Sequence, residues 1–277
     1  MARGSFFSRP FSVKRQPGFA TIAIFAFFAL YAPIITLVIY SFNSSNSIAV
    51  WGGISLRWYY SAWRNELVQE AAIRSLIIAT SASLSATALA TMAALGTTRT
   101  RPYRGLTVVY ALINQPLMVP EIVTGVALLI FFALIKIATG YTGLLYLISA
   151  HTAFCIPFAY LPIRARLEGM DLSLETAAAD LYATPWRTFR RVTLPLLWPG
   201  ILAGGVLAFV ISLDDVVITE LVKSAGQETL PTYMLGQLRR VSPFVPSRYP
   251  FLIVLMKLPP RRNAWPDPSE SATRPEK

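Results

Sequence analysis

Cysteine and histidine are almost absent from this sequence of 277 residues, which contains one of each. Because Cys155 has no second cysteine to pair with, an intrachain disulfide is impossible. His151 and Cys155 alone cannot supply the cluster of ligands that a protein metal site requires. They also leave no histidine- or cysteine-based catalytic set. We therefore expect no metal centre, no cofactor and no enzyme active site.

Charged residues are also scarce, at 14% of the chain, against about a quarter in soluble domains. The mean hydropathy is +0.51, and the apolar residues form runs near the length of about 20 residues that a transmembrane helix needs. These features indicate an all-α polytopic membrane protein with one membrane domain. The net charge of +11 lies mainly at the ends of the apolar runs, where it orients helices in a membrane. We therefore expect no nucleic-acid partner.

Five apolar segments are predicted to be membrane spans. The first contains Pro33 as a kink, and 17 of the 24 residues of the second are Ala, Ser, Thr or Gly, a composition typical of close packing against other helices. The third follows a short helix and a break at Pro116 and Pro120. The predicted spans are residues 18–41, 75–98, 121–135, 141–163 and 196–217.

The distribution of Arg and Lys predicts the orientation of these spans. Twelve lie in three segments predicted to be cytoplasmic, and four lie in the two outer loops before the fifth span. The positive-inside rule then places the basic segment 1–17 in the cytoplasm. The outer segment 42–74 is rich in Trp and Tyr, which suit a membrane interface.

The end of the chain lacks a sixth apolar segment of spanning length. Its one apolar run, residues 251–256, has six residues, which is too few for a transmembrane helix. The polar, proline-rich sequence that follows is typical of disorder. We predict a membrane domain over residues 18–243 and a divergent, partly disordered tail over 244–277.

One long polar segment, residues 173–195, lies between two apolar runs. Ser173 is predicted to cap a first short helix over residues 174–181. Thr184-Pro185 is a second start signal, a cap followed by proline at the first helical position. The second helix is predicted to end at residue 192. Two short helices around a turn form a knob that a soluble partner can bind.

Four acidic residues lie inside or at the edge of apolar runs: Glu121, Asp214, Asp215 and Glu220. A charge at the centre of a bilayer costs about 2.5 to 3.5 kcal/mol, so each needs a protein or aqueous partner. Facing an aqueous path, such carboxylates attract cations. Alternatively, Asp214 and Asp215 cap the outer end of the fifth span or contact a partner subunit. His151 is predicted to be a packed helix residue rather than a proton relay.

Several stretches of the sequence together resemble the permeases of bacterial spermidine/putrescine ABC importers, especially the second of their two permease subunits. The stretches are Tyr31-Ala-Pro, Val38-Ile-Tyr-Ser-Phe-Asn-Ser-Ser45, Arg57-Trp-Tyr, Met118-Val-Pro-Glu-Ile-Val-Thr-Gly125 and Ser212-Leu-Asp-Asp-Val-Val217. The resemblance implies a type I importer permease with six helices. Here five transmembrane helices are clear, and an atypical tail replaces the sixth, as a frameshifted or truncated reading frame would produce.

The 173–195 segment resembles the loop through which such permeases couple to their ATPase. Thr176 stands where glutamate is usual, with Glu175 one residue earlier, and Tyr182 stands where glycine is usual. Glycine ends a helix there with a positive φ, which costs a residue with a Cβ about 1 kcal/mol. The loop residues that the resemblance implies for ATPase coupling are Glu175, Thr176, Ala177, Ala178, Asp180, Tyr182, Pro185, Leu194 and Pro195.

The resemblance also implies partners and a substrate. The partners are an ATPase dimer that hydrolyses ATP, a second permease, a periplasmic polyamine-binding protein and the bacterial inner membrane. Glu121, Asp214 and Asp215 are the implied contacts of the polyamine, putrescine or spermidine. Importers of iron, thiamine or sulfate remain alternatives, as does a standalone cation channel or secondary transporter. The acids disfavour sulfate, and a standalone transporter has no use for a coupling loop.

Overall fold

A computed structural model describes residues 18–45, 50–101 and 103–240. In these ranges the regular secondary structure is helical, apart from one isolated bridge between Asn43 and Ile54. The chain divides into two compact units, one ending at Asn65 and the other spanning Glu66–Arg240. The predictions for residues 1–17 and for the tail at 244–277 lie outside the described residues.

The first unit contains the first predicted span as helix α1, Phe19–Ser41, and a short helix α2, Arg57–Trp63. The loop between them is organised by Asn43, whose side-chain oxygen accepts hydrogen bonds from the backbone N–H groups of Ser45 at 3.0 Å and Gly52 at 2.8 Å. The Trp58 indole donates to the Asn43 carbonyl at 2.9 Å. The polar and aromatic segment is therefore folded rather than extended.

The second unit begins with α3, Glu66–Thr98, which starts nine residues before the predicted start at residue 75. The prediction was wrong there because apolar residues alone were used to place the helix start. Glu66 in the first turn favours the helix N-terminus, and the helix continues through the polar residues. At 1.5 Å per residue, α3 is about 50 Å long, so its first turns extend beyond a bilayer core of about 30 Å.

The predicted break in the third apolar segment is confirmed. Helix α4, Leu106–Met118, ends before Val119, which has an extended backbone as favoured before a proline. Helix α5, Glu121–Thr139, then begins directly after Pro120. Pro116 lies inside α4 and does not end it.

Helix α6, Leu145–Glu168, contains Pro157 and Pro162 and runs five residues past the predicted end at 163. The two prolines do not end the helix, because neighbouring helices and side chains compensate for lost backbone bonds in membrane helices. A polar connection follows, formed by α7 (Ser173–Asp180), α8 (Pro185–Thr188) and a π-helical turn (Phe189–Thr193). The last three helices of the described chain are α9 (Leu194–Asp214), α10 (Val217–Val222) and α11 (Leu230–Arg240).

The core of the second unit is formed by α3, α6 and α9, which pack against one another. A Cβ at Gly204 of α9 would lie 2.6 Å from the Ala159 carbonyl oxygen of α6. The small residues predicted to pack closely in α3 form a buried stripe that includes Ala82, Ala86 and Ala90. Small residues therefore set the close approach of these helices, as is usual in membranes.

Five helices in the described residues are long and apolar enough to cross a membrane, which agrees with the predicted number. The fifth span was predicted to reach residue 217, but α9 ends at Asp214 and the chain breaks before α10. The five segments are Ala20–Ser41, Glu66–Thr98, Glu121–Thr139, Leu145–Glu168 and Pro185–Asp214.

Candidate functional site

The first helix of the polar connection is capped differently from the prediction. Ser173 is the first residue of α7 rather than its cap. Instead, the Asp171 carboxylate accepts from the Ser173 backbone N–H at 2.9 Å. This hydrogen bond holds the pKa of Asp171 below its usual value. The second cap is confirmed, because the Thr184 hydroxyl accepts from the Arg187 N–H at 3.4 Å and Pro185 opens α8.

The turn between α7 and α8 retains the geometry that glycine usually provides. Tyr182 has a φ of 57°, the one positive φ of a non-glycine residue in the described ranges. Its N–H donates to the Ala179 carbonyl at 2.9 Å, and the Ala183 N–H donates to the Ala178 carbonyl at 3.0 Å. This pair of bonds is the Schellman motif that closes helices. The chain therefore forms the turn with tyrosine, at a cost of about 1 to 2 kcal/mol in strain.

The predicted end of the second short helix before Leu194-Pro195 was wrong. The chain stays helical from Pro185 to Asp214, with the π-helical turn Phe189–Thr193 between α8 and α9. Proline at 195 lacks an N–H and would crowd the carbonyl four residues earlier in an α-helix. The wider π turn accommodates it without ending the helix. The second short helix thus continues into α9 without a break.

Glu175 connects α7 to the membrane helices. One of its carboxylate oxygens accepts from Arg99 Nε at 3.2 Å and from the Thr193 hydroxyl at 3.0 Å. Arg99, which follows α3, also donates to the Leu167 carbonyl of α6 at 3.2 Å. About a fifth of each charged side chain is exposed, 20% for Arg99 and 22% for Glu175. Glu175 therefore faces the helix bundle rather than the outside of the loop.

The other predicted coupling residues lie on the outer surface of the loop or at its base. Thr176, Ala177, Asp180, Tyr182, Pro185 and Pro195 are exposed, and Ala178 and Leu194 are partly buried.

The second candidate site lies where two helix breaks meet. Glu121 opens α5 after the break at Pro120, and Asp215 follows the end of α9. Glu121 is exposed, and Asp215 is the charged group that interacts with its carboxyl group. Helix α10 packs on α5, and a Cβ at Gly125 would lie 2.6 Å from a methyl carbon of Leu221. Two carboxylates this close repel unless a proton or a cation lies between them.

Asp215 is held in place by α10 and α6. Its side chain is 1% exposed. It accepts from the backbone N–H groups of Ile218 at 3.2 Å and Thr219 at 2.8 Å, and so caps the free donors at the start of α10. The Thr219 hydroxyl donates to the same carboxylate at 2.7 Å, and His151 Nε2 lies 3.5 Å from it.

His151 is buried, as expected for a packed helix residue, and its two ring nitrogens contact different hydroxyls. Nδ1 lies 2.8 Å from the Ser212 hydroxyl, and Nε2 lies 3.0 Å from that of Thr219. Because the Thr219 proton goes to Asp215, the Thr219 oxygen accepts from Nε2–H. The Ser212 hydroxyl then donates to Nδ1. In this arrangement the imidazole is neutral, and both ring nitrogens and both hydroxyls have a hydrogen-bond partner. The histidine thus supports Asp215 through Thr219.

The remaining acids lie outside this network. Asp214 ends α9 with an exposed side chain, and Glu220 forms an ion pair with Lys223 at 2.7 Å. Thr124, one turn after Glu121, has a buried hydroxyl without a hydrogen-bond partner in the described part of the chain. Of the three predicted substrate contacts, the structure brings together Glu121 and Asp215. No group of three His, Cys, Asp or Glu residues suited to a metal occurs in the described ranges.

Residues 86–255 match the family described as the inner membrane component of binding-protein-dependent transport systems. The chain belongs to this family. It is therefore a multi-pass inner-membrane permease component rather than an enzyme.

Two curated relatives of this permease cover most of its length. The putrescine transport system permease protein PotI of Escherichia coli (strain K12) is 40% identical over 230 residues, 82% of each chain. The spermidine/putrescine transport system permease protein PotC of the same strain is 36% identical over 239 residues, 86% of this chain and 88% of PotC. A crystal structure of a bacterial ABC transporter involved in the import of the acidic polysaccharide alginate has a similar fold. Its TM-score is 0.66 at 16% identity, with 92% of each chain covered.

Sequence reasoning identified the acids of the permease but missed their supporting residues. His151 is 61 positions from Ser212 and 68 from Thr219 along the chain, and Arg99 is 76 positions from Glu175. No local pattern links such residues. The one available signal was the presence of polar residues within apolar runs, which need partners when buried.

Proposed function

We propose that this chain, paired with a second permease subunit, forms the membrane path of an ATP-driven importer of putrescine or spermidine. The observation that carries the proposal is the meeting of the Glu121 and Asp215 carboxyl groups at two helix breaks. Both curated relatives are polyamine permeases by name. Broken helices commonly carry the substrate-contacting residues of transporters.

The chemistry of this site suits an extended polyamine. A protonated amine between two carboxylates replaces the repulsion with attraction and a hydrogen bond to each. The Thr124 hydroxyl, one turn along α5, has no hydrogen-bond partner among the described residues and offers a further acceptor. Asp214, which directly precedes Asp215 in the chain, is exposed and is the remaining candidate contact for the polyamine. Attraction has to stay modest, because a deep electrostatic well would trap the substrate.

The loop between α6 and α9 supports the energy-coupling part of the proposal. In this scheme two copies of an ATP-binding cassette subunit drive the cycle, and one contacts the knob formed by α7 and α8. Glu175 and Arg99 then transmit the movement of the knob to α3. A periplasmic polyamine-binding protein delivers the substrate on the other side, and the N-terminus lies in the cytoplasm.

The test is reconstitution of the tagged chain with its companion permease, ATPase and binding protein in proteoliposomes. We expect uptake of radiolabelled putrescine or spermidine that requires the ATPase. Glu121→Gln and Asp215→Asn should each lower the uptake rate at least tenfold, because each leaves one carboxylate to face the cation. Glu220→Gln is the matched control, because Glu220 is exposed and pairs with Lys223 instead.

Two results would contradict the proposal. Uptake that persists without any ATPase subunit would indicate a standalone transporter. Unchanged uptake in both Glu121→Gln and Asp215→Asn would remove the acidic pair from the substrate path.

A further inference from the structure

Two arginines at the ends of helix α2 line one cavity. Arg57 opens α2 and Arg64 directly follows it, and they are the two charged residues of the sequence from 18 to 65. None of the described residues that line the cavity is acidic, and the nearest acid along the chain, Glu66, begins α3. The cavity has a volume of about 270 Å³ and is lined by Arg57, Tyr60, Ser61, Arg64 and Asn65.

Aromatic rings orient both guanidinium groups. The central carbon of the Arg57 guanidinium lies 4.3 Å from the centre of the Trp58 ring, and that of Arg64 lies 4.2 Å from the centre of the Tyr60 ring. Arg57 also donates to the Ser44 carbonyl at 2.8 Å. Stacking engages the face of a planar guanidinium, whereas its hydrogen bonds are made along the edge. Two oriented guanidinium groups on one cavity suit an anion with several oxygen atoms, such as a phosphate.

Helix α2 is attached to the end of the transmembrane helix α1. The hydroxyl of Ser41, the last residue of α1, lies 2.7 Å from the Tyr59 hydroxyl. The Phe42 and Tyr59 rings pack with centroids 5.3 Å apart, and the Trp58 indole donates to the Asn43 carbonyl. The 23 residues of α1 span about 34 Å, slightly more than a bilayer core of about 30 Å. These contacts therefore hold α2 at the level of the lipid headgroups.

The side chains around the cavity suit this level of the membrane. Trp63 is 77% exposed and Ile54 is 82% exposed, and Leu56 and Tyr60 are exposed as well. Tryptophan and tyrosine are enriched at membrane interfaces, and arginine can lay its aliphatic part along apolar surface while its charge reaches the headgroups. An acidic group of a partner protein would match the charge, but the attachment of α2 to α1 favours a lipid.

We propose that the cavity between Arg57 and Arg64 binds the phosphate group of an anionic phospholipid, in the leaflet at the C-terminal end of α1. Both guanidinium groups donate to the phosphate, and the exposed apolar side chains contact the upper part of the acyl chains. The bound lipid holds α2 and the end of α1 at the membrane surface. This site goes beyond the proposed function and requires neither the polyamine nor the ATPase.

The test measures lipid binding next to the cavity. A fluorescent label is attached at Leu56→Cys, in the full chain purified in detergent together with its companion permease. Cys155 is buried and the sequence has no other cysteine, so it provides an unlabelled background. The label is titrated with phosphatidylglycerol that carries a quenching nitroxide on its acyl chain, and then with the zwitterionic phosphatidylcholine carrying the same group. We expect phosphatidylglycerol to quench at about tenfold lower concentration, because its headgroup has a net negative charge.

Arg64→Gln should lower the affinity for phosphatidylglycerol by about tenfold, because it removes a charged donor to the phosphate. Arg64→Lys should lose less, since it keeps the charge without the planar fork. Arg57→Gln should act in the same direction, and a thermal midpoint measured without added lipid checks that losing the Ser44 contact has not unfolded it. Arg104→Gln is the matched control, because Arg104 is exposed beyond the other end of α3. It removes the same charge and should leave the affinity unchanged.

Four results would overturn the inference. Equal quenching by the two lipids would show that the charge of the headgroup is not recognised, and an equal loss in Arg64→Gln and Arg104→Gln would indicate general electrostatic attraction. Displacement of the lipid by an equal concentration of inorganic phosphate would indicate a site for a soluble anion. Quenching in the chain alone but not in the permease pair would make the cavity a contact with the companion subunit. Because no readout uses transport or ATP hydrolysis, failure of the proposed function would leave this test intact.

Discussion

Arg99 and Glu175 join the end of α3 to helix α7 through a hydrogen-bonded ion pair of 3.2 Å. Helix α3 packs against both α6 and α9 in the core. The ion pair therefore links a surface loop to the central packing of the membrane domain. We propose that this link transmits movement of the loop to the core.

The Arg99–Glu175 pair should be energetically coupled. Arg99→Ala and Glu175→Ala should each lower the thermal midpoint of the permease, and the double variant should lose less than the sum. Since hydrogen bonds to charged groups contribute about 1.5 to 3 kcal/mol, we expect a coupling energy near 1 kcal/mol for this partly exposed pair. Thermal unfolding of the four proteins in detergent measures it, and strict additivity would show that the two residues act independently.

The same pair should affect transport more than assembly. In Arg99→Ala we expect normal binding of the ATPase but a reduced stimulation of ATP hydrolysis by substrate-loaded binding protein. Arg99→Lys should restore the function only in part, because lysine cannot contact both Glu175 and the Leu167 carbonyl with a fixed fork. Normal stimulation in Arg99→Ala would argue against a role in transmission.

His151 should contribute to stability and transport through its hydrogen bonds rather than through a charge. His151→Leu leaves the buried Ser212 hydroxyl without the ring nitrogen that it contacts and removes the ring donor to the Thr219 oxygen, a loss of about 1 to 3 kcal/mol per group. His151→Gln retains an N–H donor and should recover most of the thermal midpoint and the polyamine uptake per molecule of protein. Equal defects in both variants would show that the ring shape, not the Thr219 bond, is what Asp215 requires.

The close packing of α9 on α6 should not tolerate a Cβ atom at Gly204. A Cβ at Gly204 would lie 2.6 Å from a backbone oxygen, whereas one at Gly96 in α3 would have no heavy atom within 4 Å. We expect Gly204→Ala to cost about 1 to 3 kcal/mol by overpacking. Gly96→Ala, the control, should be neutral or stabilising, because alanine favours a helix by up to about 1 kcal/mol over glycine. Thermal midpoints compare the two, and equal effects would mean that the helices separate freely.

The orientation in the membrane is testable with two single cysteines. Thr142 and Ser173 are both exposed; Thr142 precedes α6, and Ser173, the first residue of α7, follows the other end of α6. A membrane-impermeant maleimide should label Thr142→Cys in intact spheroplasts and Ser173→Cys only after permeabilisation. The reverse pattern would contradict a cytoplasmic N-terminus. Cys155 is buried and provides the unlabelled background.

Hydrophobic composition and local chain chemistry made much of the fold predictable from the sequence. The five spans follow from runs of apolar residues that only a membrane accommodates as helices. The break before Glu121 follows from Pro120, and the start of α8 follows from Thr184-Pro185. Helix ends were less predictable. Residues 66–74 and the chain across Leu194-Pro195 are helical because packing and a π turn compensate for locally unfavourable residues.

The sequence by itself determined the membrane class, the number of spans in the described chain, the polar loop and the identity of the acidic candidates. The tertiary structure decided which of the acidic residues and loop residues interact with one another. Glu121 interacts electrostatically with Asp215 while Asp214 is exposed, and Glu175 faces Arg99 while Tyr182 faces outward. The reason is physical: apolar burial and local propensity act over a few residues, whereas a buried polar group finds its partner wherever the packed helices bring one within hydrogen-bonding distance.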